Sequence, residues 1–316
     1  MNDGDAALER DGIRVSRSPW GATDEIGRLN WMTPELSAAV LAEVDGANVF
    51  DLSVSYFAGM PSWTAAGDPQ YEAWLTHTPS GTRNERLNGL PDHVLEKFSY
   101  SGDAISMYTH CGTHIDTLSH RGYYGMCWNG WNERDHLGSR SWQRLGPEKY
   151  PPIIARGVLL DVAALHGVAC LPDSYAISAA DLRGAAERQG VRLAPKNVVL
   201  VRTGRMSRWP EPAAYIDASP GIALDAARYL CEEVGITATG TDTVAFEPLP
   251  ASEPDEWMPV HSYMLATAGA PIMEVVDLER LAEEGVAEFA FIGLPLRLTG
   301  TTGAPLRAIA ISFRRS

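Results

Sequence analysis

The sequence predicts a single α/β domain. GVLLDV at 157–162 reads as a strand, and NVVLVR at 197–202, a continuous apolar run, reads as a buried one. Helical patterns at 178–189 and 223–233 alternate with them. The chain has 316 residues, 45% hydrophobic and 21% charged, enough for one large core, and it carries no internal repeat. Composition shifts near residue 150, where a loop-bearing half meets a sheet-and-helix half within one domain.

Residues 1–18 are charged and aperiodic and read as a flexible N-terminal segment, leaving 19–316 as the domain. Thr33-Pro34-Glu35 opens a helix, with Thr33 as cap and Pro34 at its first position. Leu36, Val40, Leu41 and Val44 give it an apolar stripe, and Gly46 is expected to end it. Residues 49–56 suit a strand. Residues 57–100 show little periodicity and read as a functional loop, in which Trp63, Tyr71 and Trp74 are candidate pocket walls. A second irregular region, 121–150, places more aromatics, Tyr124 among them, directly after a histidine cluster, so it is the favoured wall. Ser178, with Asp181 three residues on, makes a variant capping box for helix 178–189. Residues 235–239 lead into Gly240-Thr241-Asp242, 261–267 begin a helical element, 278–284 form a short helix, and 287–293 and 307–313 are closing strands.

The net charge of −14 disfavours nucleic acid and anionic membranes as partners. No apolar run reaches about 18 residues, and the polar, acidic N-terminus is unlike a secretory signal. Four cysteines, at 111, 127, 170 and 231, have no CxxC spacing and read as reduced thiols. A cytoplasmic protein is the expectation.

The densest chemistry is His110-Cys111-Gly112-Thr113-His114-Ile115-Asp116-Thr117-Leu118-Ser119-His120. Its β-branched and aromatic flanks favour an extended segment. On a strand, residues of equal parity share a face, so His110, Gly112, His114 and Asp116 point one way. Two imidazoles and a carboxylate converging there make a shell for a divalent cation. Cys111, of opposite parity, is expected to pack behind it, while Thr113 offers a hydroxyl.

The string HCGTHIDTLSH resembles the HxGTHxDxxxH signature of the metal-dependent cyclase/hydrolase family, which includes bacterial kynurenine formamidase, isatin hydrolase and certain polyketide cyclases. Weaker echoes are Asp51-Leu52-Ser53, Gly59-Met60-Pro61, Arg202-Thr203-Gly204, Gly240-Thr241-Asp242 and Pro295-Leu296-Arg297, so the likeness spans about residues 20 to 312. It implies a swivelling β/β/α cyclase-type fold with a mixed sheet and flanking helices, in a homodimer or homotetramer. It also implies further ligands, His261 and Glu274, which flank an apolar element broken by Gly269-Ala270-Pro271. His120 becomes the proton carrier, suited to this by an ordinary pKa of about 6.5, with a role as a ligand the alternative. Asp242 is read as a structural carboxylate.

Imidazoles and carboxylates together suit Zn2+ or Mn2+, one or two ions per subunit. The activity that the resemblance implies is hydrolysis of a C–N amide bond in an aryl formamide, cyclic imide or lactam. A metal-stabilised enolate in a polyketide-type cyclase, or a non-catalytic small-molecule binding protein, are the other readings.

Overall fold

The computed structural model describes residues 6–314, apart from 65, 87–88, 98, 210 and 252–255. Its strands in chain order are β1 (Ala6–Arg10), β2 (Ile13–Ser16), β3 (Val44–Asp51), β4 (Glu72–His77), β5 (Gly102–Ser106), β6 (His114–Asp116) and β7 (Ile153–Asp161). There follow β8 (Ala176–Ile177), β9 (Val198–Arg202), β10 (Gly221–Ile222), β11 (Ala238–Thr241), β12 (Ile272–Glu274), β13 (Glu288–Pro295) and β14 (Gly303–Phe313). The main sheet runs β13-β7-β9-β11-β12-β6-β14, and a β13–β14 pairing closes it into a mixed barrel. Junctions from β7 to β12 are parallel and the others antiparallel, while β3 adds to β14 beyond β6.

Side-chain parity divides the core. Ile115, Leu159, Val198, Leu200, Ala238, Met273, Phe289 and Phe291 fill the interior cluster. Val158, Leu160, Val199, Val201 and Ile272 face outward under helical residues such as Leu182, Leu230 and Met264. This two-sided burial is why β9 reads as a continuous apolar run. The helix Ala179–Gln189 has the expected capping box from Ser178 and Asp181, and Gly190 ends it at φ +67°.

Three expectations are corrected. Residues 6–16 form an antiparallel hairpin with Val15 buried, where a flexible segment was expected; residues 1–5 of that segment lie outside the described residues. The helix capped by Thr33 ends at Ala42, and Gly46 lies within β3. The 57–100 stretch contains β4, paired with β5, and short helices at Pro79–Asn84 and Asp92–Leu95. Its pattern is weak because β4 leaves apolar residues such as Trp74 and Leu75 exposed. Among the described residues, no helix is long and apolar enough to cross a membrane.

Candidate metal centre

The centre is built on the outer face of the barrel where β6 meets β12. Their antiparallel register sets Glu274 directly opposite His114, and Ile272 opposite Asp116. Ile115 and Met273, between them, are fully buried in the interior. Each such side chain contributes about 1.5–3 kcal/mol of burial, and a one-residue slip would turn His114, Asp116 and Glu274 inward. His114 Nε2 lies 3.4 Å from a carboxylate oxygen of Asp116 and 3.4 Å from one of Glu274. Its Nδ1 sits 2.8 Å from the Gly112 carbonyl, which fixes Nδ1 as a protonated nitrogen and leaves Nε2 as the one that could bind a cation.

His110 arrives differently from the prediction. The extended segment covers only His114–Asp116, and residues 109–113 turn. Gly112 takes φ +58°, and a Cβ there would lie 2.7 Å from the Tyr56 ring. The glycine therefore makes the turn and admits Tyr56, where room between two histidines was expected. A Cβ at Gly303 of β14 would overlap the His110 ring, so this glycine makes the space His110 occupies. His110 Nδ1 is 2.6 Å from Asp116 and its Nε2 is 3.0 Å from the Thr302 hydroxyl. The Thr113 hydroxyl is committed to the backbone, donating to Val275 O at 2.6 Å and accepting from Val54 N–H at 2.9 Å. Cys111 is buried, and burial pushes its thiol up to about 11.

His261 enters from the helix Pro259–Ser262, which continues as a π-helical turn, Tyr263–Thr267. Its Nε2 is 3.0 Å from Glu274 and 3.7 Å from Asp116. Behind it stands Glu247, buried and unforeseen. One carboxylate oxygen of Glu247 accepts from the His261 N–H at 2.8 Å and meets His261 Nδ1 at 2.6 Å, while the other accepts from Val260 N–H at 3.2 Å. Glu247 thus caps the helix start and orients the ring. The stretch AFEPLP around it has no periodicity or metal-ligand spacing that could have marked it. Glu247→Gln removes the charge behind His261 and is expected to weaken metal affinity about 10- to 100-fold in competition against a chromogenic chelator. Unchanged affinity would remove this orienting role.

His120 lies on the wall of a cavity of about 210 Å³ above these residues, with Trp63, Tyr108, Arg121 and Trp257. Its side chain is 23% exposed, its ring centroid is 4.0 Å from that of His110, and its Nε2 is 3.9 Å from Asp116. Burial and the neighbouring His110 push its pKa well below the ordinary value, outweighing Asp116. Tyr124 is corrected: its ring is 53% exposed, its hydroxyl donates to Asp11 at 2.8 Å, and Arg10 stacks on it, so it fastens the N-terminal hairpin. Trp128 and Trp131 also serve elsewhere, donating to the Asp24 carboxylate and carbonyl. The cavity wall after the ligands is therefore not the favoured 121–150 aromatics. It draws on Trp63 from the earlier loop, while Trp74 projects from β4 with half its surface exposed. Asp242 accepts from Thr203 N–H, the Thr203 hydroxyl and Gly204 N–H, tying β11 to the loop after β9.

Three buried carboxylates, Asp116, Glu247 and Glu274, meet within this small volume. Burial disfavours the imidazolium of His114, but Asp116 and Glu274 prevail and lift its pKa to about 10. For His261, Glu247 and Glu274 likewise overcome burial and lift the pKa to about 10. Burial works against the Asp116 carboxylate too, yet the surrounding histidines hold it well below its usual range. A field that holds protons on two buried imidazoles is one that a divalent cation would discharge. Two atoms test that fit: His114 Nε2 and Asp116 Oδ2 are buried and have no hydrogen-bond partner, an arrangement costly unless something else binds them. Ligand atoms of Asp116, His261 and Glu274 lie within 4.8 Å of one another, as do those of His110, Asp116 and His120. The donor set fits a metal, with Asp116 common to both groups.

Comparison with known proteins agrees with this architecture. The chain is 30% identical over 153 residues to kynurenine formamidase of Bacillus cereus, a match spanning 48% of this chain and 65% of that one. The crystal structure of a novel cyclase superposes with a TM-score of 0.80 at 26% identity, covering 93% of this chain and 96% of that one. Isatin hydrolase A from Ralstonia solanacearum shares the fold, with a TM-score of 0.62 at 20% identity over 88% of this chain and 98% of that one. The family model described as "Putative cyclase" matches residues 50–248, which include His110, His114, Asp116, His120 and Glu247. The chain belongs to the cyclase family.

Proposed function

We propose that this protein is a metal-dependent hydrolase that cleaves the C–N bond of a small aryl formamide, cyclic imide or lactam. The observation that carries the reading is the pair of orphaned, buried ligand atoms, His114 Nε2 and Asp116 Oδ2, below a cavity with aromatic walls. The formamidase activity named for the Bacillus cereus relative supports it. His114, Asp116, His261 and Glu274 would hold a zinc or manganese ion, and His110 beside Asp116 leaves room for a second. When bound, the ion supplies Lewis acidity toward a carbonyl and acidifies a water. His120, poised as neutral imidazole, takes the proton of the attacking water and returns it to the departing nitrogen as the C–N bond breaks. Trp63 and Tyr108 bound the cavity and would position an aromatic ring. The volume of about 210 Å³ is below the roughly 300–1,000 Å³ of most ligand pockets, which favours a single-ring amide over a folded poly-β-ketone.

The test loads the full chain with zinc or manganese and offers formanilide, a cyclic imide and isatin in 18O-labelled water. Amide opening with one label in the new carboxylate is the expected result. A metal-loaded protein that opens none of them, and instead cyclises a polyketide without taking up label, would overturn the reading in favour of the cyclase alternative.

A further inference from the structure

Arg121 follows His120 in the chain and lines the same cavity. Its guanidinium lies over the Trp257 ring at 4.9 Å, and its Nη2 donates to the Trp257 carbonyl. Its Nε is buried and has no hydrogen-bond partner. Among the described residues, no carboxylate lies within ion-pair distance of it, and it is the only Lys or Arg lining the cavity. The acidic groups nearby are engaged otherwise: Glu247 and Glu274 with His261, and Asp116 with His110. A partly buried guanidinium with no counter-anion among the described residues is costly. An aromatic face and a carbonyl hold this one in place, so little ordering is required when an anion arrives.

We infer that Arg121 is the receptor for an anionic group on the substrate, a carboxylate remote from the bond that breaks. The substrate is then an aromatic amide with two handles: its carbonyl at the floor of histidines and carboxylates, its acid group on Arg121. A planar guanidinium with a free Nε–H suits a carboxylate by fork geometry and charge-assisted hydrogen bonds. This rests on the amide-hydrolase reading for the reaction, though the anion site itself does not.

The test uses the full metal-loaded chain, wild type and Arg121→Met, with Arg121→Lys as a second variant that keeps a charge without the fork. The ligands are the three positional isomers of aminobenzoate and their methyl esters, with affinity read by calorimetry. The substrates are the matching N-formyl compounds, and metal content is measured throughout. For at least one isomer, wild type should bind the acid about ten- to a hundred-fold more tightly than its ester. Arg121→Met should erase that preference, raising KM for the formylated acid by the same factor, while ester affinity and metal content stay unchanged. Arg121→Lys should fall between. No preference for acids in wild type, or a preference that persists in Arg121→Met, would overturn the inference, the second because the metal floor would then be the anion site. If no amide is hydrolysed but aminobenzoate affinity still depends on Arg121, the hydrolase reading fails and the receptor stands. If amides are hydrolysed with no acid preference, the receptor fails and the hydrolase stands.

Discussion

Asp116→Ala is expected to yield a folded protein that no longer retains stoichiometric metal after dialysis, with amide hydrolysis reduced to background. The two oxygens of Asp116 face four imidazoles: His110 at 2.6 Å and His114 at 3.4 Å on one, His261 at 3.7 Å and His120 at 3.9 Å on the other. It is the member common to both candidate ligand groups, so its loss depletes each. Removing an orienting group behind a ligand costs about 10- to 100-fold in metal affinity, and removing the shared ligand should exceed that. Metal-to-protein ratio by plasma mass spectrometry, with circular dichroism as the check of fold, decides the matter. Full occupancy in Asp116→Ala would refute the assignment of the centre to this cluster.

The legibility of this centre follows from which contacts are local. His114 and Asp116 could be read as neighbours because strand parity is a two-residue rule, and β6 obeys it. His110 obeys a different geometry, since Gly112 turns the chain and the ring reaches Asp116 from outside the strand. Parity gave the right partners there for the wrong reason. Glu274 lies on a three-residue strand too short to show a pattern, and only its pairing with β6 explains why it meets His114. Glu247 was invisible because its role depends on a helix that begins twelve positions later. Closure of the barrel by β13 and β14 was equally hidden, although both strands were readable, because strand order is set by tertiary pairing. Capping chemistry is local, and so Thr33 and Ser178 were found at their helices. Tyr124 illustrates the converse error. Its place in the chain, soon after the ligands, suggested the cavity, but the chain turns at Tyr124 with φ +52° and carries the ring to the N-terminal hairpin.

His120→Ala should separate catalysis from metal binding. The side chain stands 3.9 Å from Asp116, is partly open to the cavity, and belongs to a group with His110 and Asp116 that could itself hold an ion. Geometry alone therefore allows two roles, and its charge state favours one. Burial and the nearby His110 keep its pKa well below 6.5 despite Asp116, so the ring is neutral at pH 7 and free to accept a proton. A divalent cation bound below adds positive charge and pushes in the same direction. The sign is then fixed: protonation of His120 belongs below pH 6.5, so any acid limb it contributes to kcat/KM lies there and vanishes in the variant. Once protonated, such a ring gives its proton up more readily than an ordinary imidazolium, which suits return to a leaving nitrogen. General acid–base groups contribute about 10² to 10⁴ in rate. His120→Ala should therefore lose activity by that order while metal content stays near wild type, and added imidazole should restore part of the rate. Metal and activity falling together would make His120 a ligand. Both remaining intact would leave the proton to another donor.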